Sequence, residues 1–82
     1  MLFARRRIRN ETLVVEALSA RDDMTGNEIA KATGLWVGSL YPALMRMEQS
    51  GRITSRWETE TPRPDGSARR RLYALPERPV RH

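Results

Sequence analysis

Between Thr25 and Gly51 two helix signals follow one another with no room for a strand between them. Thr25-x-x-Glu28 is a capping-box pattern opening a short helix through Ile29, Ala30 and Ala32, and Thr33-Gly34 closes it with a C-terminal glycine. A very short linker leads into a second pattern, from about Val37 to Ser50, in which Leu40, Leu44 and Met47 recur at i, i+4, i+7 and Gly51 supplies the stop. Two helices joined by a tight Gly-containing turn are the sequence form of a helix-turn-helix, and the rest of the chain has to be arranged around that unit.

Upstream, Asn10 reads as an N-cap with Leu13, Val14, Ala17 and Leu18 at helical spacing behind it, which predicts a first helix over about 10 to 20; Arg21-Asp22-Asp23 reads as a polar turn. Downstream, Ile53 to Trp57 alternates with Ile53, Ser55 and Trp57 on one side, and Arg70 to Leu75 is a second run with Tyr73 and Leu75 on one side. The intervening Thr59 to Ala68 is rich in turn formers, Pro62, Pro64 and Asp65-Gly66 among them, so the two runs form a hairpin with a basic tip. The expected fold class is α+β: a winged helix-turn-helix over residues 10–75, three helices followed by a two-stranded β wing. Residues 1–9 form a basic N-terminal arm, and Pro76 and Pro79 mark 76–82 as a flexible C-terminal tail.

Most other classes are excluded by what the chain lacks. With 82 residues it is one domain, which buries roughly 60–65% of its unfolded surface. There is no cysteine for a disulfide or thiolate site, and the only histidine is His82. No phosphate-cradling glycine loop or nucleophile motif is present, so no enzymatic activity, cofactor or metal is expected. No apolar run suits a signal peptide or membrane span, which places the protein in the cytoplasm with no membrane partner.

Charge says more. The chain carries +5, yet from Asn10 to Pro62 acidic residues outnumber basic ones, and the excess positive charge sits in residues 1–9 and 63–82. All but one of the 15 cations are arginine, Lys31 being the exception, and the planar guanidinium suits phosphate and guanine edges. An acidic middle with basic flanks points to separate contacts with a polyanion, the alternative being solvated termini.

The helix beginning near Val37 carries a glycine and a proline in its first two turns, where both weaken a helix. A recognition helix enters the major groove by its N-terminal end, and bulk there would hold it out. Gly38 and Ser39 are small enough for close approach, Ser39 can hydrogen-bond a base or phosphate, and Pro42 offers an apolar face to a thymine methyl. The alternative is that Gly38 is itself the N-cap, with Pro42 in the first turn for structural reasons alone. Opposite the apolar stripe lie Gly38, Ser39, Pro42, Met45, Arg46 and Gln49, with Tyr41 at the edge.

The run GSLYPALMRMEQSGRI, Gly38 to Ile53, continued by Ser55-Arg56-Trp57-Glu58, resembles the PadR family of bacterial winged-helix transcriptional regulators, as does Arg69-Arg70-Arg71-Leu72-Tyr73-Ala74-Leu75 for the second wing strand. The resemblance covers roughly residues 25 to 75 and includes the unusual Tyr-Pro inside a helix. It implies double-stranded DNA as partner, with Ser39, Tyr41, Pro42 and Arg46 on the DNA-facing helix, Trp57 and Tyr73 supporting the wing, and Arg63, Arg69 and Arg70 at its tip. The usual C-terminal dimerisation helices of that family are absent from these 82 residues, as is Thr at the end of the second strand, where Pro76 stands. A homodimer would then form through the first helix and the Leu2-Phe3-Ile8 segment, or through the wing, and no small-molecule ligand is evident.

Single residues carry further expectations. Trp36 is expected to pack against the second helix, the alternative being an exposed indole reaching a sugar or phosphate. Arg46, the only cation on its face, is assigned to DNA, the alternative being simple solvation, and Trp57 to the core or wing base, the alternative being a stacking platform. Arg5, Arg6 and Arg7 either enter a minor groove or lie along phosphates, or form a solvated tail. Arg71 shares a strand face with Tyr73 and must reach solvent or a phosphate. The expected function is a small sequence-specific repressor. Its rivals are a winged-helix protein-interaction module and an architectural or excision accessory protein of a mobile element.

Overall fold

The computed structural model describes residues 2–59, 65 and 69–76, with residues 2–4 described by their backbone. Three helices, α1 (Leu2–Ala20), α2 (Gly26–Thr33) and α3 (Val37–Gln49), precede the strands β1 (Thr54–Trp57) and β2 (Arg71–Ala74). The strands pair antiparallel with Ser55 opposite Tyr73 and Trp57 opposite Arg71.

The α2 boundaries follow from the caps. The Thr25 hydroxyl accepts from the Glu28 N–H at 3.2 Å while the Glu28 carboxylate accepts from the Thr25 N–H at 3.0 Å, the reciprocal capping box. Gly34 ends the helix in the left-handed region at φ 75°, donating to the Ala30 carbonyl at 2.9 Å. The end of α3 is a Schellman motif: Gly51 at φ 77° donates to Glu48 at 3.1 Å and Arg52 donates to Met47 at 2.8 Å.

The start of α1 differs from expectation. The helix begins at Leu2, so Asn10 is an interior residue and not an N-cap, and the basic residues 5–9 are the helical beginning of α1. Leu2 to Ile8 contains only residues that tolerate a helix, with no glycine or proline to stop it, and the Thr12 hydroxyl donates back to the Ile8 carbonyl at 2.8 Å.

One core joins the three helices to β2: Val14 and Leu18 from α1, Met24 before α2, Ile29 from α2, Leu40, Leu44 and Met47 from α3, Ile53 before β1, and Tyr73 from β2. The expected stripe of α3 is thus the stripe it buries. Met24 and Tyr73 exchange backbone hydrogen bonds of 2.8 and 3.1 Å, tying the entry of α2 to the inner wing strand. Arg63, with residues 60–62, 64 and 66–68 of the wing tip and 77–82 of the expected tail, lies outside the described residues.

Candidate nucleic-acid interface

The N-cap of α3 is Trp36, so Gly38 is the second helical residue and Pro42 lies in the second turn. Gly38 is therefore not the cap. Pro42 has no N–H to give the Gly38 carbonyl, and this interruption sits on the outward face, opposite Leu40, Ala43, Leu44 and Met47. That face is apolar and uncharged at its centre, with Met45 63% exposed between Gly38, Pro42 and Gln49.

Trp36 does not pack against α2. It is 74% exposed, and its indole lies over Gly38, where an added Cβ would stand 2.6 Å from the ring Cε3. The absence of a side chain at Gly38 is thus first a seat for this indole. Tyr41, 46% exposed, reaches the other way over Gly26 at the start of α2, where an added Cβ would stand 2.7 Å from Cζ. It borders a cleft of about 470 Å³ between α2, α3 and the wing that also contains Lys31, Arg70 and Tyr73. Burial pushes the Tyr73 phenol above its ordinary range. On the opposite flank Ser39 borders a second cleft, of about 320 Å³, shared with Arg6, Arg9 and Asn10 of α1.

The other arginines assigned from sequence are held within the protein to different degrees. Arg46 turns toward α1, its guanidinium 4.0 Å from the Glu11 carboxylate, which also accepts from Arg52; the Arg46 Nε is buried with no hydrogen-bond partner among the described residues. Arg70 pairs with Glu58 at 2.9 Å and remains exposed. Arg69 stands over the Trp57 ring at 4.9 Å, and Arg71 over the same ring at 5.2 Å. Trp57, 47% exposed, is thus a wing-base platform for two guanidinium groups.

Arg71 reaches the surface, its side chain 40% exposed, and is engaged there within the protein. It binds Glu48 of α3 at 3.2 Å and donates to the Ser55 hydroxyl at 2.8 Å, locking the wing onto the end of α3. The Ser55 hydroxyl in turn donates to Glu48, and that bond, followed by Arg71, holds the Glu48 carboxyl below the usual carboxylate range. Arg5, Arg6, Arg7 and Arg9 are exposed and have no acidic partner among the described residues. Two features differ from the leading expectations from sequence: the exposure of Trp36, which stood there as the alternative, and the pairing of Ser39 with Arg6, Arg9 and Asn10 in one cleft, which had no counterpart. Gly38 two residues after a tryptophan was the one local signal for the first.

A helix-turn-helix followed by an antiparallel wing locked to the second helix defines the winged helix-turn-helix class. Residues 14–78 match the family model of the transcriptional regulator PadR-like family, and the chain belongs to that family. It is also similar to the crystal structure of a PadR family transcription regulator from hypervirulent Clostridium difficile R20291. That likeness has 35% identity and a TM-score of 0.67, and covers 82% of this chain and 71% of that one. No curated protein sequence matches. No helix among the described residues is long and apolar enough to cross a membrane, and none of their acidic or histidine side chains cluster to hold a metal.

Proposed function

We propose that this protein is a sequence-specific double-stranded DNA-binding repressor of the cytoplasm that acts as a homodimer. Its α3 reads the major groove through Ser39, Tyr41, Pro42 and Arg46, with the wing on adjacent phosphate or minor groove through Arg63, Arg69 and Arg70, and Arg5, Arg6 and Arg7 adding backbone contacts. The observation that carries this reading is the outward face of α3. It is small and apolar at Gly38, Pro42 and Met45, and flanked on both sides by clefts that contain cations. Such a face fits between the two backbones of a major groove, touching base edges while the flanks meet phosphate.

A single module buries little surface, and two copies on a palindromic site would supply the specificity that one lacks. Fluorescence anisotropy on duplexes tiled across the protein's own upstream region, against scrambled duplex at two salt concentrations, tests the reading. A tiled site preferred by ~10³-fold, with affinity falling as salt rises, is the expected result. Equal, salt-sensitive binding to every duplex would replace it with the architectural role. The exposed Trp36 and Met45 favour a protein partner as the second reading, and no duplex binding at low salt would make that the leading one.

A further inference from the structure

We infer that the cleft between α1 and the α2–α3 turn, closed by Ser39 at the start of α3, is a second backbone clamp, in which Arg6, Arg9 and Asn10 of α1 and Ser39 of α3 hold one sugar-phosphate strand of the duplex whose groove α3 enters. The inference rests on the DNA-binding reading above and assigns it contacts, Arg9 and Asn10, that neither the wing nor the recognition helix supplies.

The first support is charge. Arg21, Arg46, Arg52, Arg56, Arg70 and Arg71 each lie within 4.0 Å of a carboxylate. In contrast, the four arginines of α1 lie within five residues of one another and meet no acid among the described residues. Glu11, the acid next along α1, is already engaged by Arg52 and Arg46. Four like charges at the positive end of a helix with no acidic residue in its first turn repel one another and the helix dipole, and an external polyanion offsets both.

The second support is placement. Arg6, Arg9 and Asn10, with Leu13 one turn on, share the α1 surface that borders the cleft, and Ser39 closes it from the edge of the outward face of α3. Ser39 and Tyr41 stand on opposite flanks of that face, each opening onto its own cleft. A helix in a groove about 12 Å wide has a phosphate strand on either side. The Tyr41 cleft, with Lys31 and Arg70, faces one strand; the Ser39 cleft faces the other. Two guanidinium groups, an amide and a hydroxyl are donors suited to phosphate oxygens and carry no sequence preference.

The test is the salt dependence of binding to the preferred duplex and to scrambled duplex, for wild type, R6Q/R9Q, R6K/R9K and R21Q/R56Q, each checked by circular dichroism. R6Q/R9Q is expected to lower the slope of log affinity against log salt by about two per protomer, hence by about four for a bound dimer, at roughly 0.9 per lost phosphate contact, and to weaken both duplexes by the same factor. R6K/R9K keeps the slope, and R21Q/R56Q, which removes the same charge from pairs with Glu28 and Asp23, leaves it unchanged. An unaltered slope in R6Q/R9Q, or an equal fall in R21Q/R56Q, overturns the clamp while leaving the DNA-binding reading standing. Wild-type protein that binds no duplex at low salt overturns both.

Discussion

The Trp36 indole rests on Gly38, so the most exposed aromatic ring among the described side chains is held against the start of α3 by the lack of a side chain two residues on. Gly38→Ala tests this contact directly. Alanine in a helix is favoured over glycine by up to about 1 kcal/mol, and the displaced indole is mostly solvated, so thermal stability is expected to hold or rise. Duplex affinity is expected to fall several-fold, and Trp36 fluorescence, read in a Trp57→Phe background, to change. A loss of stability beyond 1 kcal/mol would show instead that the ring is part of the packing.

Glu11 holds Arg52 and draws Arg46 toward α1. Glu11→Gln is expected to cost about 1–2 kcal/mol in urea denaturation, since it leaves two cations short of a partner in a half-buried place. The same change loosens the carboxylate that holds Arg46 beside α3, so the salt slope of DNA binding should become shallower. A steeper slope would mean that Glu11 withholds Arg46 from DNA, against its assignment to the groove.

Acid should loosen the wing. The Glu48 carboxyl is held below its ordinary value of 4.5 by the Ser55 hydroxyl and Arg71, and the Glu28 carboxyl likewise by the Thr25 N–H and Arg21. A depressed folded-state value means that this stabilisation is present above 4.5, the unfolded value, and is lost as pH falls through the lower folded values. Urea midpoints measured from pH 7 to pH 3 should decline, and Glu48→Gln should flatten part of that decline while lowering the neutral plateau. An identical acid limb in the variant would show that Glu48 carries none of the dependence.

Tyr73 joins the core to both the wing and Met24. Tyr73→Ala is expected to cost about 3–5 kcal/mol, a large share of what a small domain has, whereas Tyr73→Phe should cost less than about 1 kcal/mol. Because burial raises the phenol above its ordinary value of 10.0, that part of the stability is complete below pH 10.0 and declines as pH rises toward the folded value. Alkaline unfolding of the Phe variant should therefore be shifted to higher pH.

The elements whose ends are written locally were legible in the sequence. Thr25, Glu28, Gly34 and Gly51 each act within one turn of their own position, and the structure places α2 and the end of α3 by those residues. The start of α1 was not legible, because Asn10 has the chemistry of a cap while nothing between Leu2 and Ile8 forbids the helix from beginning earlier. The partners of Arg46 and Arg71 were equally hidden. Glu11 and Glu48 lie far away along the chain, and only packing of α1 on α3 and of the wing on α3 brings them into reach. Burial is the usual fate of an indole, so for Trp36 the sequence favours packing over the exposed alternative, whereas its actual seat depends on a glycine two residues away.

The backbone bridge between Met24 and Tyr73 also settles how safely the wing can stand in solution. With β1 on one side and Met24 on the other, Tyr73 offers neither backbone edge to a passing chain, so self-templating by strand addition is blocked at the most apolar point of the hairpin. The strand left with an open flank is β1, four residues long and carrying Arg56, which is short and charged enough to discourage fibrous stacking.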